Sequence, residues 1–218
     1  MCGRCRPHLE ARRHVCFGIS PFNGHFTRSR VAAMAAWGRQ QFGSMHFFVP
    51  DVPAASTLEA LGYAPERAAS KARRQANLVR NKIRAALSGV GVDKPDEFIL
   101  DWAALSGNDR YRELLTTATE LFDGDAGFRR ACLDATAWVL GSRMAPDTAA
   151  SPRQLGCAVR YLLAEVPLFA DAAGIVGQEL SVFCYHDRVP FLERFYRGEL
   201  AVRPAARQGF ALLATGEC

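Results

Sequence analysis

The sequence predicts an α/β fold, a Rossmann-like three-layer sandwich with a mostly parallel five-stranded sheet and helices on both faces. Three observations carry that expectation. Short apolar runs biased toward β-branched and aromatic residues alternate along the chain with longer stretches of helical period, and strands alternating with helices imply a parallel sheet covered on both sides. The chain has 218 residues and 49% apolar content, enough for one domain with a continuous core and too little for two ordinary ones. No internal repeat or low-complexity stretch interrupts it.

The elements follow in order. Residues 1–13 read as a flexible basic N-terminus, and 14–218 as a single Rossmann-like domain. Cys2 and Cys5 form a CxxC, but no second pair follows at a zinc-ligand spacing, so no metal is expected. His14 to Ile19 reads as the first strand and ends in the turn-rich segment Ser20-Pro21-Phe22-Asn23-Gly24. Thr27 to Gln41 is helical, with Val31, Met34, Ala35 and Trp37 on its apolar spacing. Met45 to Val49 is a second strand, followed by the loop Pro50 to Pro53 and two helical segments, the second closed by Gly89 and Gly91. Phe98 to Leu100 is a third strand. Asp109 to Arg143 carries two amphipathic helices separated by Asp123-Gly124-Asp125. A helix from Pro152 to Glu165, a buried strand from Leu180 to Tyr185 and a fifth strand from Gly209 to Ala214 complete the reading.

Charge is concentrated in one place. Arg67 to Arg84 holds seven cations and no acid, and without them the net charge of +5 would become slightly negative. On a helical wheel Ala72, Ala76, Val79, Ile83 and Leu87 share one arc, while Arg67, Lys71, Arg73, Arg74, Arg80, Lys82 and Arg84 lie outside it. A stripe of this kind is either a solvated surface or the footprint of a phosphate backbone. The run Val15 to Ile19 is too brief for a signal-peptide core, and Glu165, Pro167 and Asp171 interrupt the most apolar later stretch. Seven scattered cysteines suit a reducing compartment. A cytoplasmic protein without membrane association is expected.

In folds of this class ligands bind beyond the carboxyl ends of the strands, where strand order reverses. Ser20 and Tyr185 each follow directly on a predicted strand and so point toward one mouth. Ser20 is a candidate nucleophile whose oxyanion could be held by N–H groups at a helix start, or simply a turn-stabilising residue. Tyr161 and Glu165 are four apart and share one helical face. Pro167 disfavours helical geometry at Val166, which would put Glu165 in the last turn, facing the negative end of the helix dipole. A bound ammonium group explains a carboxylate there; a surface Glu beside a packed Tyr is the alternative. No GxSxG, GxGxxG or GxxxxGK[ST] occurs, so no ATP or nicotinamide cofactor is expected and a substrate would have to arrive already activated.

With these segments in hand the chain resembles the tRNA-dependent cyclodipeptide synthases. The resemblance runs from about His14 onward and is carried by Gly18 to Phe26, by the basic helix, by YLLAEVPLFAD (Tyr161 to Asp171) and by SVFCYH (Ser181 to His186). It implies the fold of the class I aminoacyl-tRNA synthetase catalytic domain without the ATP motifs. Asn23, Tyr185 and His186 match the Asn-Tyr-His branch. The resemblance implies that Ser20 is the nucleophile, that Tyr161 and Glu165 hold the aminoacyl amino group, and that Tyr185 positions and relays protons. Asn23 and His186 would shape the site. Cys16, Gly18, Phe48, Leu168 and Phe183 would form a first, hydrophobic side-chain pocket, with Ser142 and Arg143, in the region Ala135 to Arg143, reading the second residue. Phe22 would narrow the mouth. Two aminoacyl-tRNAs would dock in turn on Lys71, Arg73, Arg74, Arg80, Lys82 and Arg84, on a monomer needing no cofactor. A noncatalytic RNA-binding protein on the same scaffold, or a hydrolase using Ser20, are the competing readings.

Overall fold

The structure, a computed structural model, describes residues 5–213; Cys2, of the CxxC, and Ala214, at the end of the expected fifth strand, lie outside the described residues. Five parallel strands, β1 (His14–Gly18), β2 (Ser44–Phe48), β3 (Ile99–Leu100), β4 (Ser181–Tyr185) and β5 (Gln208–Leu212), are ordered β3-β2-β1-β4-β5. The sheet is parallel throughout. Strand order reverses at β1, which has β2 on one side and β4 on the other, so the crevice lies at the carboxyl ends of β1 and β4.

Alternation along β1 explains the three layers. Val15 and Phe17 belong to the core shared with helices α2 (Arg28–Gln41) and α4 (Pro65–Gly89). Cys16 faces the opposite core, built with α6 (Asp109–Gly124), α7 (Ala126–Gly141) and α8 (Pro152–Ile175). Both faces of the central strand are therefore dry, as a parallel sheet requires. At the amino ends of the strands His14 Nδ1 lies 2.7 Å from Ser181 Oγ and its Nε2 2.9 Å from His46 Nδ1, joining β1, β2 and β4. Burial pushes these two imidazoles down to about 3 and about 4, so both are neutral.

Several expectations change. Arg6–Ala11 forms a helix, α1, where the sequence suggested a flexible terminus; it packs on β5, and Cys5 joins the core. Short helices α5 (Trp102–Ser106) and α9 (Pro190–Arg197) are present as well, whereas α3 (Ala54–Ala60) is the first of the two helical segments expected after Pro53. α2 begins at Arg28, capped by the Thr27 hydroxyl, so Ser20 sits in an extended connection and not at a helix start.

The largest correction concerns α8. It opens on a capping box between Ser151 and Gln154 and runs through Pro167 to Ile175, kinking only at Asp171 (φ −159°, ψ 58°). Proline inside a helix costs about 3 kcal/mol. Val166, Leu168 and Phe169 are buried beside it, each contributing about 1.5–3 kcal/mol, so packing against α3, α6 and α7 outweighs the lost bond. Glu165 therefore stands mid-helix, and the argument from the helix dipole does not apply to it.

The kink is fixed by charge. The Asp171 carboxylate, fully buried, accepts Arg207 Nε and Nη2, each at 2.7 Å, Arg110 Nε at 2.9 Å and the Gly174 amide at 2.9 Å. Burial alone would raise its pKa; these donors outweigh it and hold the group below the ordinary carboxylate value. Replacing Asp171 by alanine is expected to destabilise the protein by about 2–3 kcal/mol in chemical denaturation. That is less than the loss usual for a broken buried pair, because Arg110 and Arg207 are 34% and 44% exposed and can turn to water.

Candidate active site

The parallel ladder delivers the first residue of the site. Ile19 N–H donates to Phe48 O (2.9 Å), extending β1 by one step and leaving Ser20 at its carboxyl end. Tyr185 ends the neighbouring β4, and α8 crosses above both. A cavity of about 190 Å³ opens there, lined by Ser20, Tyr161, Glu165 and Tyr185 together. The four residues expected to do chemistry thus share one wall. Asn23, His186, Phe183, Ser142 and Arg143 line it too, as does Phe22, which has the Arg143 guanidinium 5.5 Å above its ring.

Of the five residues expected in a first side-chain pocket, only Phe183 lines the cavity; Gly18 does not. Cys16, Phe48 and Leu168 are buried in the adjoining core and do not line the cavity. A Cβ on Gly18 would sit 2.6 Å from Phe183 Cζ and 3.1 Å from Tyr185 Cδ2. The Phe183 ring occupies the space that a side chain at Gly18 would need, and it lines the cavity. Trp138, within the expected region Ala135 to Arg143, lines the cavity, as do Leu162 and the α9 residues Phe191 and Leu192, which the sequence did not single out. An amphipathic VPFLERFY following SVFCYH was the available signal.

Electrostatically, Glu165 has no cation among the groups that shift its pKa, although the Arg143 guanidinium lines the same cavity. Burial lifts the Glu165 carboxyl to about 8, and the hydrogen bond with Tyr161 opposes the rise. Burial, reinforced by the Glu165 charge, also raises the phenols of Tyr161 and Tyr185, so both act as neutral O–H groups. Tyr161 Oη is 3.5 Å from Ser20 Oγ, a long contact that a bound substrate can tighten. Beside them the Asn23 carboxamide is oriented by the His25 amide, which donates to its oxygen at 2.8 Å. Its nitrogen then donates to His186 Nε2 at 2.7 Å. This assigns the remaining proton of the ring to Nδ1, which is buried without a partner. Burial lowers His186 to about 4, and the ring stays neutral.

The basic helix is only partly a surface. Arg80 turns inward, where its side chain is 13% exposed and pairs with Asp51 and, at 2.9 Å, with Asp101. Lys82 donates to Phe26 O at 2.8 Å, and Arg84 pairs with Asp96 at 2.7 Å. Lys71 donates to Tyr63 Oη at 2.8 Å. Arg73 and Arg74 are exposed, with no hydrogen-bond or ion-pair partner among the described residues. Of the six cations expected to meet phosphate, Arg80 is thus a structural residue, because two aspartates on neighbouring loops claim its guanidinium.

The family model described as cyclodipeptide synthase matches residues 1–215. The chain belongs to the cyclodipeptide synthase family. It is 30% identical over 200 residues to the cyclo(L-tyrosyl-L-tyrosyl) synthase of Mycobacterium tuberculosis, covering 92% of this chain and 69% of that one. It is equally 30% identical over 213 residues to the cyclo(L-leucyl-L-leucyl) synthase of Bacillus subtilis, covering 96% and 85%. Among solved structures, a Mycobacterium tuberculosis cyclodipeptide synthetase, presented as related to type I tRNA synthetases, superposes with a TM-score of 0.84 at 28% identity over 97% of this chain and 90% of that one. The protein is accordingly an enzyme that forms a cyclic dipeptide from aminoacyl-tRNAs, which sets aside the noncatalytic and hydrolase readings. Among the described residues no helix is long and apolar enough to cross a membrane.

The raised Glu165 pKa has a consequence for stability. A carboxyl whose folded pKa (about 8) exceeds its unfolded value (4.5) favours folding fully only below pH 4.5, and the contribution fades as pH rises to about 8. The substrate-free enzyme should therefore lose thermal stability relative to Glu165→Gln between pH 5 and pH 9, measured as the difference in Tm at the two pH values. Parallel Tm curves would show a carboxyl ionised at neutral pH.

Proposed function

We propose that this synthase works by a ping-pong route through esters on Ser20, as a monomer in the cytoplasm, taking two aminoacyl-tRNAs in turn. The single observation that supports it is the convergence of Ser20, Tyr161, Glu165 and Tyr185 on one cavity. An aminoacyl-tRNA is already an activated ester. Ser20 Oγ attacks its carbonyl carbon, the bond to the ribose oxygen breaks, and the serine proton passes to that oxygen as the first tRNA leaves. The neutral phenol of Tyr185 relays this proton, and Tyr161, 3.5 Å from Ser20 Oγ, fixes the hydroxyl.

Glu165 then has a defined task. An α-ammonium entering the cavity supplies a positive charge, so the carboxyl gives up its proton and holds the amine jointly with Tyr161. Burial raises the proton affinity of Glu165 above that of an ordinary carboxylate, which makes it a better acceptor for the proton that leaves the α-amine. The neutral amine of the Ser20-bound residue then attacks the ester carbonyl of the second aminoacyl-tRNA. The bond to the ribose oxygen breaks, the second tRNA leaves with the amine's proton, and the dipeptide remains esterified to Ser20. The dipeptidyl ester that results is closed by its own amine. That step is intramolecular, with effective molarities that can reach roughly 10⁵–10⁸ M, and it regenerates Ser20.

Asn23, Tyr185 and His186 are the residues that support assigning the chain to the Asn-Tyr-His branch. Aliphatic and aromatic walls, with Leu162, Phe169 and Phe183 among them, favour an apolar side chain in the aminoacyl group, and Ser142 and Arg143 stand where the second residue would be read. Two relatives of equal identity join tyrosine in one case and leucine in the other, so overall similarity does not select the product. Docking of the tRNA falls to the exposed Arg73 and Arg74, with Lys71, Lys82 and Arg84 as a flanking field.

Two outcomes follow. Bacteria expressing the protein should release diketopiperazines detectable by mass spectrometry, and Ser20→Ala should abolish them; an active Ser20→Ala variant overturns the ester route. Reversing Arg73 and Arg74 to glutamate should weaken tRNA binding and lower the slope of log affinity against log salt by about one unit per lost phosphate contact, with the fold intact by circular dichroism. Arg80→Glu should instead unfold the protein.

A further inference from the structure

Trp138 is half exposed (52%) and lines the catalytic cavity. An indole left in water at the edge of an active site carries no share of the core. The same helix ends just before Arg143, whose guanidinium covers the Phe22 ring at 5.5 Å and, like Trp138, lines the cavity. Phe22 packs on a small cluster of Ala54, Leu58, Ala68 and Ala72, and Tyr63 packs on that same cluster. Against the Tyr63 ring stand two more cations, Lys71 Nζ at 4.4 Å and Arg67 at 5.5 Å, one turn apart on α4. Aromatic rings accompanied by cations therefore run from the cavity to the basic helix.

We propose that this track binds the unpaired 3′ end of the aminoacyl-tRNA, the terminal adenine stacking on Trp138 and a preceding base on Tyr63. The inference rests on the aminoacyl-tRNA reading above and adds to it how the acyl group reaches Ser20. Single-stranded nucleic acid is held in this manner elsewhere, by aromatic faces that accept any base and by cations that follow the phosphates. The placement fits the chemistry. The acyl group is carried on the ribose of the last nucleotide, so the base attached to that ribose must lie at the cavity mouth when the ester reaches Ser20. Arg143 has no ion-pair partner among the described residues, and beside Trp138 it is available to the last phosphate. Stacking is sequence-tolerant, which a surface used by two different tRNAs in succession requires.

The test crosses a protein variant with an RNA truncation and needs no knowledge of the amino acids joined. The probes are uncharged tRNA with its complete 3′ end and the same tRNA lacking its last three nucleotides, titrated at fixed salt by fluorescence anisotropy. Removing the three nucleotides should weaken binding to the wild-type protein about tenfold or more. The penalty should be smaller than wild type in Trp138→Ala and in Tyr63→Ala, should fall below about twofold when both are replaced, and should return to the wild-type value in Trp138→Phe, because an aromatic face is retained. Phenylalanine at this position also guards against a folding artefact in the alanine variant.

An equal truncation penalty in wild type and Trp138→Ala overturns the proposal, as does a wild-type protein indifferent to truncation. So does a Trp138→Ala variant that changes the amino acids found in the product while keeping the full truncation penalty, since Trp138 would then belong to a side-chain pocket. Diketopiperazine formation by the wild-type protein is read separately by mass spectrometry, so a failure of this inference is distinguishable from a failure of the proposed function.

Discussion

The position of α8 is what the site depends on, and Asp171 sets it. The buried carboxylate binds Arg110 from α6, Arg207 from the approach to β5 and the Gly174 amide one turn along its own helix. One side chain therefore ties α8 to the helical layer and to the sheet. The helix must cross the carboxyl end of β1 in a fixed register, because Tyr161 and Glu165 reach Ser20 only from the face that α8 presents there. A buried ion pair contributes little net stability. Its value here is geometric, since the Asp171 kink lets the last turns of α8 follow the sheet while the turns carrying Tyr161 and Glu165 remain straight.

Much of this was legible in the sequence, and the failures have identifiable causes. Short continuous apolar runs located all five strands, because a sheet covered on both faces buries every residue of its strands, and period-3.6 patterns located the long helices. The switch point was legible too, since Ser20 and Tyr185 follow directly on apolar runs. Pro167 misled because a local rule was weighed without the packing of Val166, Leu168 and Phe169, which only the tertiary structure supplies. Arg80 misled for a related reason. On a helical wheel it belongs with the stripe, and nothing in the sequence says that Asp51 and Asp101, on two separate loops, converge on it. Of the expected first side-chain pocket only Phe183 lines the cavity, and nothing in the sequence says that its ring fills the space beside Gly18.

The electrostatics of the cavity follow from what α8 brings to it. Glu165 has no arginine or lysine among its hydrogen-bond partners; Tyr161 is the group that tempers its raised pKa. A permanent cation would have held the carboxylate ionised and low, a poor acceptor of protons near neutral pH. Desolvation instead raises the proton affinity of Glu165 above that of an ordinary carboxylate, and a substrate that carries its own positive charge completes the site. Recognition and proton transfer thereby become properties of one residue. The neighbouring imidazole is kept out of this exchange: His186, fixed by Asn23 and lowered by burial, stays neutral across the working range.

The division between chemistry and docking has a physical reason on the proposed route. The ester bond to tRNA supplies the free energy, so the enzyme needs no nucleotide cradle, and the fold retains the switch-point crevice without a glycine-rich loop. Specificity for the amino acid must then come from the cavity, while affinity for the carrier must be indifferent to which tRNA arrives. Phosphate contacts provide such indifference, since they position without reading sequence. Two exposed arginines are a weak anchor by themselves, and charge in this helix is largely engaged by Asp51, Asp96, Asp101 and Tyr63. A weak anchor suits an enzyme that must release a spent tRNA before the second can bind at the same place. Tight binding of the carrier would slow that exchange without assisting acyl transfer, because interactions made equally with substrate and transition state do not raise the rate of the chemical step.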